Sequence, residues 1–334
     1  MSLKQRSRQQ RVGLILSGGG ARGFAHIGVL RALEQANVRV DVIAGTSMGA
    51  IVGAFYANGY DAAAITNIVK NISWRNIIDF SLQSGVLKGE KLHALLETHL
   101  PTRFSALVKP LAVTTTDIET GEEVFITDGD LITALRASSC FPGAFEPVKF
   151  QGRLLADGGI VNNLPVNAVS FLNASFTIAS NTTPPRHMVF PDDSDDHWWE
   201  RMMATVKLER RNPVAQMMIR STDIMQSILT DIHYSMHPAD VLVRHLMPGI
   251  NLESFRHVED IIALGEQEAF QTFVAVGLLE PPALPARADP LTANTSPDAS
   301  TQPAEGSQHE SKANTNNKDA NENAPNRISL SKDS

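Results

Sequence analysis

The 334-residue chain carries 29 basic and 36 acidic side chains, a net charge of −7, with 43% hydrophobic residues. That is enough apolar material for one large α/β core with appendages, and the acidic balance argues against nucleic acid as a partner. The single cysteine, Cys140, excludes an intrachain disulfide and favours a reducing compartment, so a cytoplasmic location is expected, with peripheral membrane contact left open.

Residues 1–10 read as a basic N-terminal segment. The apolar run that follows, Val12 to Leu16, is too short for a signal-peptide core, and no stretch approaches the ~20 apolar residues of a spanning helix. Val12 to Leu16 instead reads as a buried parallel strand that runs into Ser17-Gly18-Gly19-Gly20-Ala21-Arg22-Gly23. The helical period of Phe24 to Gln35 follows it. Gly18-x-Gly20-x-x-Gly23 fits a dinucleotide fingerprint, with Asp41 at about the spacing of its ribose-binding acid. Asp41, however, precedes most of the next apolar run and so lies at the wrong end of the strand. The competing reading is an anion-binding concavity of glycine N–H groups.

Val40 to Ala44 reads as the second strand, leading to Gly45-Thr46-Ser47-Met48-Gly49 and a small-residue helix that ends near Gly59. G-x-S-x-G between a strand and a helix is the setting of a nucleophile elbow, a tight turn that pushes the serine hydroxyl outward. Neighbouring parallel strands end at one sheet edge, so the glycine loop and Ser47 should open on one crevice. Helices are expected over Asp61 to Asn71, Lys88 to Leu100 and Asp130 to Ser139, and strands over Leu111 to Thr116 and Glu122 to Ile126. A strand over Gly152 to Ala156 delivers Asp157-Gly158-Gly159, and Phe176 to Ala179 reads as the next strand.

The three motifs, with Arg136-Ala137-Ser138-Ser139 between them, resemble the patatin-like phospholipase family, bacterial type, over about residues 11–180. Many members carry Asp-Gly-Ala at the third motif, and bacterial members also use Asp-Gly-Gly. The resemblance implies a Ser-Asp dyad with Ser47 as nucleophile and Asp157 as general base. It places an oxyanion hole at the glycine loop, with Arg22 close to it. Gly18, Gly19, Gly20, Gly23 and Met48 are the further candidates for that hole. Gly45, Gly49, Gly158 and Gly159 shape the turns around it. No cofactor and no metal are implied. A histidine-based triad drawn from His233, His237, His245 or His257 is the weaker alternative, and His26 is read as packing or capping.

After the acidic, proline-rich break near residues 184–196, Trp198 to Leu229 is helical in composition, interrupted at Pro213. It carries Met202, Met203, Met217, Met218 and Met225 interleaved with Arg201, Lys207, Arg210, Arg211 and Arg220. This reads either as an amphipathic pair packed on the sheet or as a lid that meets a membrane surface. Val241 to Val243 is a late strand and Val258 to Phe273 a closing helix. Residues 281–334 lack aromatic side chains and read as a disordered tail.

The expected fold is a three-layer α/β/α domain with a mostly parallel sheet. Its catalytic part is residues 11–180, followed by a mainly helical extension over 181–280 and the tail. The expected activity is hydrolysis of a lipid carboxylic ester through an acyl-enzyme. The alternative is a non-catalytic, lipid- or partner-binding regulator that retains the pocket.

Overall fold

In a computed structural model the described residues are 2–77, 89–142, 145–185, 213–252 and 254–281. The tail expected over 281–334, apart from its first residue, and the first half of the methionine-rich segment lie outside them. Contacts group Met1–Pro282 as one unit, which holds all of the structure described below.

An eight-stranded mixed sheet runs through this unit in the order β5-β6-β3-β2-β1-β7-β8, with β4 paired to β3 off that path. The strands are β1 Val12–Leu16, β2 Val42–Thr46, β3 Leu111–Asp117, β4 Glu123–Ile126, β5 Val148–Phe150, β6 Arg153–Asp157, β7 Phe176–Asn181 and β8 Val241–Arg244. β8, β7, β1, β2 and β3 run parallel, β4 and β6 run against them, and β5, antiparallel to β6, returns to their direction. Every residue of β1, β2 and β3 is buried, as strands covered on both faces must be.

Alternation along the strands builds two cores. Leu14, Leu16 and Ile43 join the larger one, which is packed by α2 Ala25–Gln35, α3 Met48–Ala57 and α10 Val258–Ala275. Ile15, Ala44, Ala112 and Ala179 face the smaller one, with Leu164, Val166 and Val169. The remaining helices are α1 Leu3–Gln9, α4 Ala62–Lys70, α5 Trp74–Ile77, α6 Glu90–His99, α7 Leu131–Ser138, the short α8 Ala168–Phe171 and the long α9 Pro213–Met236. Asp61 and Asp130 cap α4 and α7, accepting the N–H groups of Ala64 and Thr133 at 2.7 Å each.

Three sequence expectations shift. Residues 1–10 contain a helix, opened by a capping box between Ser2 and Gln5. β2 begins at Val42 instead of Val40, because the Asp41 carboxylate accepts the Val12 N–H at 2.9 Å just ahead of the ladder. α9 runs on to Met236, past the expected end near Leu229.

The pairing of β3 decides where the site lies. Val113 and Thr114 pair with both β2 and β4, whereas Thr115 and Thr116 pair with both β4 and β6. A strand residue has one neighbour on each side, so β2 and β6 share one flank of β3, arriving from opposite directions. β2 ends with Thr46 opposite Thr114, and β6 ends with Asp157 opposite Thr115. The next residue after Thr46 is Ser47, so the two motifs meet head to head.

Candidate active site

Ser47 sits between β2 and α3 at φ 52°, ψ −124°, a strained backbone conformation for a residue with a side chain. The strain is held from several directions. The Ser47 N–H donates to Ser138 Oγ at 2.8 Å, and that hydroxyl donates to the Thr114 carbonyl at 2.6 Å. A Cβ on Gly49 would run into the carbonyl oxygens of Leu16 and Ser17, so only glycine lets α3 start this close to β1. Ser47 is the half-exposed member of a turn whose neighbours are buried.

Asp157 is 3% exposed. One carboxylate oxygen accepts the Gly159 N–H at 2.8 Å, and its own N–H donates to the Cys140 carbonyl at 3.1 Å. Burial pushes the carboxyl up from 3.8 to about 6, against the opposing pull of the Gly159 N–H and of the Ser47 side chain as hydrogen-bond partner. Cys140, buried as expected, is pushed up to about 12 by desolvation, then by the charge of Asp157, and stays a thiol.

The glycine loop lies on the other side of Ser47. A Cβ on Gly18 would stand 3.3 Å from Ser47 Cβ. The Gly18 N–H itself donates to the Asn163 carbonyl at 3.0 Å, and its carbonyl accepts from Thr182 Oγ1 and Asn163 Nδ2. The N–H groups of Gly19, Gly20 and Met48 donate to no acceptor among the described residues. Gly20 takes φ +55° against the Leu252 carbonyl, and Gly23 packs on the Met48 side chain.

Arg22 has other hydrogen-bond partners. Its N–H donates to Gly19, its Nε to the Ile250 carbonyl at 3.1 Å, and its guanidinium pairs with Asp223 of α9 at 3.0 Å. It clamps α9 to the glycine loop in a buried ion pair. Gln226, one turn on, reaches over Gly159. Sequence reading missed Ser138 as the elbow's clip, and it missed Asn163, Asp223 and Gln226 altogether. These contacts join residues 24 to 201 positions apart, and no local pattern announces them.

Asp41 lies at the start of β2, away from the glycine loop, so the ribose contact of a dinucleotide site has no acid where it needs one. His26 and His245 bond to Ser180, whereas His233, His237 and His257 make no hydrogen bond to Ser47 or Asp157 among the described residues. Among the described residues, no cluster of three or more metal-ligating side chains occurs, and no helix is long and apolar enough to cross a membrane.

α9 has an inverted polarity. Asp223, Gln226, Ser227 and Thr230, at helical spacing, are buried toward the site. Met217, Met225, Ile232 and Met236 are 70%, 55%, 49% and 57% exposed on the opposite side.

Comparison with known proteins bears on this geometry. An uncharacterized NTE family protein of Mycobacterium tuberculosis (strain ATCC 25618 / H37Rv) is 40% identical over 178 residues, 52% of this chain and 49% of the relative. A lysophospholipase of Neurospora crassa is 32% identical over 176 residues, 50% of this chain and 12% of that protein. The chain thus aligns to about half the length of the mycobacterial relatives. Among solved structures, VipD from Legionella pneumophila aligns with a TM-score of 0.42 at 14% identity, covering 80% of this chain and 67% of that one. The family profile described as patatin-like phospholipase matches residues 14–170, which hold the glycine loop, the elbow and Asp157. Over residues 14–170, the chain matches the patatin-like phospholipase family.

Proposed function

We propose that the chain is a lipid acyl hydrolase that cleaves a carboxylic ester with Ser47 as nucleophile and Asp157 as general base. The observation that carries this reading is the end-to-end meeting of β2 and β6 on β3. It sets a strained serine beside a buried carboxyl with no histidine between them. A hydroxyl attacks well only as a base removes its proton, and a carboxyl lifted to about 6 is a better proton acceptor than one at 3.8.

Ser47 Oγ adds to the ester carbonyl while its proton passes to Asp157. The N–H groups of Gly19, Gly20 and Met48, free of acceptors among the described residues, then receive the developing oxyanion. As the intermediate collapses, Asp157 returns the proton to the leaving alcohol oxygen. Water then attacks the acyl-enzyme, giving up its proton to Asp157, and the released Ser47 oxygen takes that proton back. Gly18 and Arg22, whose donors are engaged elsewhere, shape the loop in this scheme and do not bind the oxyanion.

A lipid substrate is supported by the family and by α9. A helix that buries its polar side at the site and turns methionines outward has a face suited to acyl chains at a lipid surface. Changing Met217, Met225 and Met236 together to glutamine is expected to lower hydrolysis of lipid in vesicles ~10-fold, while a soluble short-chain ester is hydrolysed as before. Equal losses on both substrates would refute the surface role.

The test of the function itself is a hydrolysis screen over phospholipids, lysophospholipids and acyl thioesters, with Ser47→Ala as the blank. Turnover of at least one oxygen ester by the native chain alone is the expected result. No turnover of any ester would leave the non-catalytic binding alternative.

A further inference from the structure

His26, on α2, is fully enclosed, and its two ring nitrogens reach in different directions. Nε2 lies 2.8 Å from the Ser17 carbonyl and Nδ1 lies 2.7 Å from Ser180 Oγ. That hydroxyl is 2.9 Å from His245 Nε2, and His245 Nδ1 is 2.6 Å from a carboxylate oxygen of Glu268. The other oxygen of Glu268 accepts the Leu246 N–H at 2.8 Å. A continuous chain therefore runs from α10, near the surface, to the residue that opens the glycine loop.

Proton counting orders the chain. The Ser17 carbonyl can only accept, so His26 Nε2 carries a hydrogen. Burial, followed by the charge of His245, pushes His26 down to about 3, so the ring is neutral and Nδ1 is an acceptor. Ser180 must then donate its one hydrogen to His26 and accept from His245 Nε2. The Glu268 carboxylate beside His245 Nδ1 ends the series. Ser180, His245 and Glu268 have the residue types of a hydrolytic triad, but Ser180 is fully buried and its hydrogen is directed at His26, so no ester reaches it.

Ser17 is fastened at every polar atom. Its N–H donates to the Ser180 carbonyl at 3.1 Å, its Oγ accepts the Thr182 N–H at 2.8 Å, and its carbonyl lies where a Cβ on Gly49 would collide. One residue thus braces both the glycine loop and the first turn of the nucleophile's helix.

We propose that His26, held in its donating orientation by Ser180, His245 and Glu268, is a positioning residue that fixes the Ser17 carbonyl and thereby the Gly19 and Gly20 amides. The inference rests on the reading of those amides as oxyanion donors. Because the amides serve the transition state more than the ground-state ester, their displacement should lower kcat and leave KM alone.

The test pairs two variants with one spectrum. His26→Leu fills the space without a donor and is expected to lower kcat ~10-fold or more at unchanged KM, whereas His26→Gln, which keeps an N–H, recovers kcat to within ~3-fold of the native chain. The imidazole nitrogen shifts of the native chain should show His26 protonated on Nε2 and bare on Nδ1. Native kcat in His26→Leu, equal losses in both variants, or a proton on His26 Nδ1 would each overturn the proposal. Should His26→Leu fail to fold, Ser180→Ala supplies the kinetic reading: a fall in kcat alone supports the relay, and an unchanged kcat sinks it. The functional reading fails separately, as a native chain that hydrolyses no ester.

Discussion

Replacing Ser47 by alanine is expected to lower ester hydrolysis by about 10⁴-fold or more, since losing the nucleophile removes the covalent route and leaves only binding and oxyanion contacts. The change should leave the fold intact. The clip between the Ser47 N–H and Ser138 is a backbone contact that alanine keeps, and the side chain makes no capping bond to α3. Alanine also meets the same positive-φ strain as serine. Initial rates on a soluble ester, read beside a thermal melt, separate loss of chemistry from loss of structure.

Asp157→Asn should be as damaging to activity and, unlike most buried substitutions, stabilising. Amide for carboxylate keeps an acceptor for the Gly159 N–H but removes the base, and the comparable exchange in serine-protease triads costs about 10⁴-fold. In the native chain, kcat/KM should rise with unit slope as pH approaches about 6 and level off above it, because the ionised carboxylate is the active form. The stability side follows from linkage. The folded chain holds the Asp157 proton up to about 6, the unfolded chain only up to 3.8, so stability from this group is present at low pH and lost as pH rises through 6. At 1.36 kcal/mol per unit, the buried carboxylate costs at most about 3 kcal/mol at pH 8, and Asp157→Asn should recover about 1–3 kcal/mol of it.

His26 works in the opposite sense. Its folded value of about 3 lies below 6.5, so the unfolded chain takes up the proton first and stability falls as pH drops from 6.5 toward 3. Between about 4 and 6 the two groups oppose each other in the native chain. In Asp157→Asn only His26 remains, so the variant should lose about 1.4 kcal/mol per pH unit there relative to the native chain. Denaturant titrations at pH 8, 6 and 4 measure both slopes. A variant that is less stable at pH 8 would contradict the desolvation account of Asp157.

What the sequence discloses follows from how local each signal is. The glycine loop and the elbow are readable because each is an apolar run broken by glycines at fixed offsets, and β1 and β2 pair in parallel as their order implies. The three-residue strand β5, Val148–Phe150, is too short to leave a pattern of its own. α1 was masked by its basic residues, although Ser2 and Gln5 stood at capping-box spacing. α9 defeats periodicity differently. The usual rule sends methionine inward, whereas here Asp223 is drawn inside by Arg22 and Met217, Met225 and Met236 are left on the surface. Asp157 stood out by its apolar strand, its following glycines and the family resemblance, whereas the antiparallel entry of β6 is a property of topology that no local pattern announces.

The most direct test of the central claim is to treat the native chain with a fluorophosphonate ester and locate the phosphonyl adduct by peptide mass spectrometry. One adduct is expected, on the peptide that holds Ser47, with its rate of formation cut severely in Asp157→Asn. An adduct on a different serine, or none on a folded chain, would contradict the account.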